Sequence, residues 1–121
     1  MSKFVICGDT HGTIDISKVE KYFEGRECNY TKDDYLIILG DVCVCSFDPS
    51  NGAETRRILR DLPVTTLFID GNHENFDELN SYPSDEWNGG KVHFIEQDII
   101  HLMRGQFFDI DGTTFFTMGG A

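Results

Sequence analysis

The chain has few basic residues and no long apolar run, and both features limit what it can bind. Lysine and arginine number 10 against 21 aspartates and glutamates, so the formal net charge is −11. Such a charge repels phosphate backbones at long range, and we expect no nucleic-acid backbone as a partner. No segment approaches the roughly 18 consecutive apolar residues of a membrane span. A membrane partner is therefore not expected either.

The chain also contains no Cys-x-x-Cys motif and no low-complexity tract. None of its four cysteines forms a Cys-x-x-Cys pair, so the zinc-ribbon and thioredoxin patterns are absent and reduced thiols are expected. The apolar run that follows Lys3 is too short for a signal peptide and predicts a strand. We expect a cytoplasmic protein. A length of 121 residues with 40% hydrophobic residues predicts one globular domain over 1–121.

Three short apolar runs each end in a glycine that is followed by a possible metal ligand. The loops after them carry Asp9 and His11, then Asp41, and then Asn72 and His73. The intervals of 32 and 31 residues between Asp9, Asp41 and Asn72 are close to one strand–helix–strand unit of about 30 residues. If the strands are parallel, all three loops lie at the carboxyl edge of one sheet. This pattern predicts a divalent metal site there.

The hydrophobic periodicity predicts a parallel β-α-β core followed by an antiparallel meander. Predicted strands in the core cover 3–7, 35–39 and 64–69, and predicted helices cover 14–24 and 53–62. The stretch 47–52 is rich in turn-forming residues. A brief helix with Phe76 and Leu79 on its inner face is predicted next, and 81–90 is predicted to be a loop. The meander has predicted strands at 92–95, 99–103, 106–110 and 113–118.

Together the three loops resemble the first signature blocks of the calcineurin-like metallophosphoesterases. The blocks are Gly8-Asp9-Thr10-His11-Gly12, Gly40-Asp41 and Gly71-Asn72-His73-Glu74. The resemblance covers roughly residues 3–75. It implies an α/β fold, a four-layer α/β/β/α sandwich, of which this chain is expected to be the amino-terminal portion.

The resemblance also implies a role for each loop residue. Asp9 and His11 would hold a first metal ion, Asp41 would bridge two ions, and Asn72 would ligate the second. His73 would stabilise the transferring phosphoryl group or protonate the leaving alkoxide. The cofactors would be two divalent metal ions, for which Mn, Fe, Zn, Co and Ni all suit the ligands. The substrate would be a small phosphomonoester or phosphodiester.

Two departures from the family pattern shape these expectations. The protein-phosphatase branch has Asp-Arg-Gly where this chain has Val44-Cys45-Ser46, which disfavours a protein phosphatase. The family's later histidine and Gly-His-x-His block do not occur in the 121 residues. The remaining histidines, His93 and His101, are predicted to be ordinary strand or core residues. We therefore expect an incomplete binuclear centre and a truncated form that is inactive or weakly active.

Two other functions fit the same residues. The fold could serve as a non-catalytic interaction module, as it does by resemblance in a scaffold protein of the retromer coat. Alternatively, Asp9, His11 and Asp41 could form a self-sufficient mononuclear hydrolase site. For the truncated form, an exposed sheet edge would favour a homodimer.

Overall fold

The computed structural model describes residues 2–8, 16–40, 42, 44–45, 49–71 and 75–118. Besides a short 3₁₀ helix at Glu27–Asn29, these residues form strands and α-helices in the following order: β1 (Phe4–Cys7), α1 (Ile16–Phe23), β2 (Tyr35–Leu39), α2 (Pro49–Asp61), β3 (Thr65–Ile69), α3 (Phe76–Ser81), β4 (Ser84–Trp87), β5 (Gly90–Glu96), β6 (Ile99–Leu102), β7 (Phe107–Ile110) and β8 (Thr113–Phe116).

The central sheet has the strand order β1-β2-β3-β6-β5-β4. Strands β1, β2, β3 and β6 are parallel neighbours, whereas β5 is antiparallel to both β6 and β4. Cys7 pairs with Ile38 and Leu39 pairs with Ile69, so the first three strands end at the same edge. The predicted parallel core is confirmed. Its register places the starts of the three motif-bearing loops side by side.

Strand β2 is apolar throughout because both faces of the sheet are covered. Leu36 and Ile38 pack in a cluster with residues of α1 and α2. Ile37 points to the opposite face, where it joins a cluster with Phe108 and Ile110 of the β7–β8 hairpin. Continuous apolar residues are typical of strands buried on two sides. The helices, the central sheet and the hairpin thus form successive layers, as expected for the metallophosphoesterase fold.

The helices follow the predicted positions, with one correction. Helix α1 buries Ile16, Val19 and Phe23, which are spaced three and four residues apart on one face. Helix α2 begins at Pro49, so the prediction that it starts only at residue 53 is wrong. Proline is well suited to the first turn of a helix, where its missing N–H costs no hydrogen bond. In the described part of the chain, no helix combines the length and apolar character needed to cross a membrane.

Two predictions for the second half of the chain are wrong. The predicted loop at 81–90 contains β4, whose Ser-Asp-Glu-Trp sequence is almost fully exposed and so carries no hydrophobic signal. The predicted continuous meander is interrupted after β6, since β6 joins the central sheet and β7 pairs with β8 in a separate sheet. All four residues of β6 are buried, whereas β7 alternates between exposed and buried residues. The two patterns differ because β6 is an interior strand of the central sheet, whereas the β7–β8 hairpin has one face exposed to solvent.

Strands β1 and β4 occupy the two edges of the central sheet. On β1 the side chain of Ile6 is 58% exposed. The homodimer expected at an exposed edge stays a prediction.

Candidate functional site

The five predicted site residues lie outside the described residues: Asp9, His11, Asp41, Asn72 and His73. Their described neighbours show how each loop begins. Gly8 directly follows β1, and Gly40 follows β2 with a φ of 94°, a conformation that favours glycine. Asp70 and the buried Gly71 follow β3. All three loops therefore leave the sheet at its carboxyl edge.

The loops after β2 and β3 are joined by a backbone hydrogen bond. The N–H of Asn75 donates to the carbonyl oxygen of Cys45 at 2.8 Å. The Asn75 side chain also accepts a hydrogen bond from the N–H of Glu78 at 3.3 Å and so caps α3. Val44 and Cys45 are fully buried. These contacts hold the far end of the third loop against the core.

Asp70 is a buried carboxylate at the carboxyl end of β3. One oxygen, Oδ1, lies 2.9 Å from Nε2 of His101. The other, Oδ2, accepts from Nε and Nη2 of Arg104 at 2.7 and 2.6 Å. Burial by itself raises the pKa of Asp70, but the hydrogen bonds from His101 and Arg104 hold that pKa below its usual value. Asp70 is thus ionised at neutral pH and accepts at both oxygens.

His93 and His101 form a buried pair behind Asp70. They occupy directly paired positions of β5 and β6, and their Nδ1 atoms lie 2.9 Å apart. Nε2 of His101 must donate to the ionised Asp70. In neutral His101 Nδ1 is then the acceptor, so Nδ1–H of His93 donates to it. Burial, and then the neighbouring His101, lowers the pKa of His93 against the opposing effect of Asp70.

A cavity of about 360 Å³ lies beside these groups. Asp70, both histidines and Arg104 line its polar side, and Phe76 is among its apolar residues. The guanidinium of Arg104 lies over the Phe76 ring at 5.9 Å. The cavity therefore combines a buried polar wall with an apolar one, next to the start of the third loop.

The prediction that His93 and His101 are core strand residues is confirmed, since each is 4% exposed. Sequence reasoning missed their connection to Asp70. Two signals pointed to it. Asp70 ends an otherwise apolar run, and the two histidines are equally distant from residue 97 between their strands. A hairpin centred there places them opposite each other.

No group of three or more His, Cys, Asp and Glu within the described ranges could hold a metal ion. The Asp70, His101 and His93 side chains bond to one another instead. The residue types that suit a metal are the two carboxylates, the imidazole and the amide of Asp9, Asp41, His11 and Asn72. They belong to the loops that leave the common edge of β1, β2 and β3. The donor chemistry and the strand order both fit divalent metal ions there.

The chain matches a model of a known protein family. A model of the calcineurin-like phosphoesterases matches residues 2–121. No curated protein and no solved structure matches the chain. The family match extends beyond the motif-bearing loops and includes the β7–β8 hairpin. Membership of this family suggests phosphoester hydrolysis, and its members usually bind divalent metals. The chain therefore belongs to the calcineurin-like phosphoesterase family.

Proposed function

We propose that the chain hydrolyses small phosphomonoesters or phosphodiesters with divalent metal ions at the carboxyl edge of β1, β2 and β3. The observation that carries the proposal is the register of these strands. Cys7 pairs with Ile38, and Leu39 with Ile69, so the three motif-bearing loops begin beside one another. Ligand sites of open α/β sheets lie at this edge.

Each loop contributes a distinct group to the proposed site. Asp9 and His11 hold one ion, Asp41 bridges two, and Asn72 holds the second through its side-chain oxygen. Manganese is the ion we propose first, because carboxylate and amide oxygens suit it. When bound, such ions lower the pKa of a water molecule and neutralise charge on the phosphoryl oxygens. His73 donates a proton to the leaving oxygen or a hydrogen bond to the phosphoryl group.

We expect a low rate of hydrolysis from these 121 residues, because His93 and His101 are engaged in other hydrogen bonds. His93 and His101 are bonded to each other, and His101 is bonded to Asp70. Neither contributes an imidazole to the proposed site. We therefore propose weak hydrolytic activity for the chain alone.

The direct test is turnover of bis-p-nitrophenyl phosphate and p-nitrophenyl phosphate with added Mn²⁺. Asp41→Asn keeps the side-chain shape but removes the bridging charge, so its rate is expected to fall to background. Asp61→Asn is the matched control, because Asp61 is 67% exposed at the end of α2. Mn²⁺ binding without turnover would favour the non-catalytic interaction module. Equal rates for Asp41→Asn and the unaltered chain would contradict the proposed site.

A further inference from the structure

The cavity beside the histidine pair lies between α3 and strands β5 and β6. Helix α3 lines one side with Phe76, Leu79 and Asn80. The strands line the other side with His93 and His101. The volume of about 360 Å³ is at the lower end of the range for small-molecule sites, which begins at about 300 Å³. A ligand with a single ring therefore fits.

One nitrogen of His93 is not used by the histidine pair. The Nδ1 atoms of His93 and His101 lie 2.9 Å apart and the ring planes differ by 8°. Nε2 of His93 is on the far side of the ring and has no hydrogen-bond partner in the described part of the chain. Among those residues, Oγ1 of Thr66 is the only wholly buried side-chain oxygen or nitrogen without a partner. Nε2 therefore keeps contact with open space, although His93 is 4% exposed, and the space that His93 lines is the cavity.

Nε2 of His93 is a hydrogen-bond acceptor. Because Asp70 only accepts, the protons of the neutral rings lie on Nε2 of His101 and on Nδ1 of His93. Burial and the neighbouring His101 lower the pKa of His93, so its ring is neutral at pH 7.5. Hydrogen bonds in such a chain polarise one another, which strengthens the acceptor at the end. A ligand in the cavity is expected to offer an N–H or O–H, since leaving a buried acceptor unpaired costs binding energy.

The charges around the cavity favour a neutral ligand. Asp70 accepts from His101 at Oδ1 and from Arg104 at Oδ2, so each carboxylate oxygen already has a donor and a cation is not needed. Asp70 also balances the charge of Arg104, and the formal net charge of −11 disfavours an anion. The Arg104 side chain is 54% exposed and borders the open side of the cavity. Its Nη1 group has no partner within the described ranges and can donate to a carbonyl.

The apolar lining of the cavity favours a planar ligand. Phe76 contributes an aromatic ring, over which the guanidinium of Arg104 lies at 5.9 Å. Leu79 and Met103 extend the apolar lining. Aromatic rings and guanidinium groups both stack on planar groups. A planar ring with an N–H beside a carbonyl offers the donor and the acceptor that the polar groups require.

We propose that this cavity is a binding site for a small neutral lactam or imide ring. The N–H of the ring donates to Nε2 of His93, the carbonyl accepts from Arg104, and the ring lies against Phe76. The site needs no metal ion. It is therefore independent of the proposed phosphoester hydrolysis.

The test is an NMR titration of the chain with uracil and with 2-pyridone, at pH 7.5 in the presence of a chelator. Both probes carry an N–H beside a carbonyl. We expect a saturable shift of the Nε2 resonance of His93. The matched probes are 1,3-dimethyluracil and 1-methyl-2-pyridone, which keep the ring and its carbonyl but have no N–H. Their affinity should be at least about fivefold lower.

The variant His93→Asn removes the proposed acceptor. Asparagine keeps a polar group near the Nδ1 position beside His101 but has no atom at the Nε2 position, so uracil should bind at least about fivefold more weakly. Asp98→Asn is the control, because Asp98 lies in the turn between β5 and β6 and pairs with Lys32 at 2.7 Å. It should bind uracil as the unaltered chain does. The comparison of probes requires no variant and decides the question if His93→Asn does not fold.

Each outcome bears on the inference alone. Saturable binding that is weakened both by methylation of the probe and by His93→Asn supports the inference. Absence of a saturable Nε2 shift up to the solubility limit of both probes overturns it. Equal affinity for methylated and unmethylated probes, or for folded His93→Asn and the unaltered chain, also overturns it. Because no metal is present in the titration, failure here leaves the proposed hydrolysis intact.

Discussion

The Nδ1 atoms of His93 and His101 lie 2.9 Å apart at directly paired positions of β5 and β6. From His101 the connection continues through Nε2 to Asp70 at the end of β3. Three neighbouring strands of the central sheet are thereby linked through their side chains. Each histidine donates one ring N–H along this connection, so the nitrogen that carries its proton depends on the neighbouring side chain.

The tautomers of the two histidines follow from this chain of bonds. When both rings are neutral, we expect His101 to carry its proton on Nε2 and His93 on Nδ1, since Asp70 only accepts. Two-bond ¹H–¹⁵N correlation spectra of the imidazoles measure this directly. In Asp70→Asn the preference of His101 should weaken. A protonated Nδ1 with a bare Nε2 on His101 in the unaltered chain would contradict the assignment.

Burial of His93 should make the stability of the fold depend on pH. The pKa of His93 is lower in the folded chain than its usual value of 6.5, so below that pH the unfolded chain binds the proton more readily. The stabilisation is fully present above about pH 6.5 and is lost as the pH falls through the lower folded pKa. Urea unfolding at pH 7.5 and 5.5 measures the loss.

The control for this pH dependence is His93→Asn, which retains a polar group near the Nδ1 position and does not titrate. Its free energy of unfolding should fall less between pH 7.5 and 5.5 than that of the unaltered chain. The window lies above the range in which Asp70 takes up a proton, because the pKa of Asp70 is lowered. Equal losses in both proteins would contradict the account of His93.

The β7–β8 hairpin packs closely against Gly90, the first residue of β5. A Cβ at that position would lie 2.5 Å from the ring of Phe108 and 2.9 Å from the carbonyl oxygen of Phe107. We expect Gly90→Ala to destabilise the fold by about 1–3 kcal/mol, since the buried ring and the backbone must both move. Chemical denaturation measures this loss.

A double-mutant cycle tests the physical cause of the Gly90 effect. Phe108→Leu shortens the side chain that the new methyl group meets. In that background Gly90→Ala should therefore cost clearly less than in the unaltered chain. Additive losses for the two substitutions would show that the ring contact is not the cause.

Helix α3 depends on its amino-terminal cap. Removing the Asn75 side chain in Asn75→Ala deprives the N–H of Glu78 of its acceptor and should cost about 1 kcal/mol. Asn75→Asp keeps an acceptor and should retain most of the stability. Asn80→Ala, at an exposed position of the same helix, is the control. Equal unfolding midpoints for Asn75→Ala and Asn80→Ala would argue against the cap.

The parallel core was predictable because its signals are local. Strands β2 and β3 are buried on both faces, so their apolar runs stand out in the sequence. Helix α1 repeats its apolar residues at helical spacing. Strand β4 was not predictable in the same way, because Ser84, Asp85 and Glu86 are exposed and only pairing with β5 makes them a strand. Local patterns do not report such pairing.

The same difference between local patterns and long-range pairing applies to the candidate site. Asp9, His11, Asp41 and Asn72 are predicted as metal ligands because each follows an apolar run within a short motif. The spacing of His93 and His101 about the β5–β6 turn indicates their pairing, but the link to Asp70 depends on the parallel register of β3 and β6, which lie far apart in the sequence. The metal ligands in the motif loops therefore stay a prediction, whereas the hydrogen-bonded link from His93 through His101 to Asp70 became visible only in the structure.

The measurement that tests the central claim most directly is a calorimetric Mn²⁺ titration of the full chain and of Asp41→Asn, with Asp61→Asn as the matched control. The account predicts saturable binding by the unaltered chain and by Asp61→Asn, and a loss of most of that affinity in Asp41→Asn. Absence of binding by the unaltered chain, or equal affinity in Asp41→Asn, would contradict a metal site at the common edge of β1, β2 and β3.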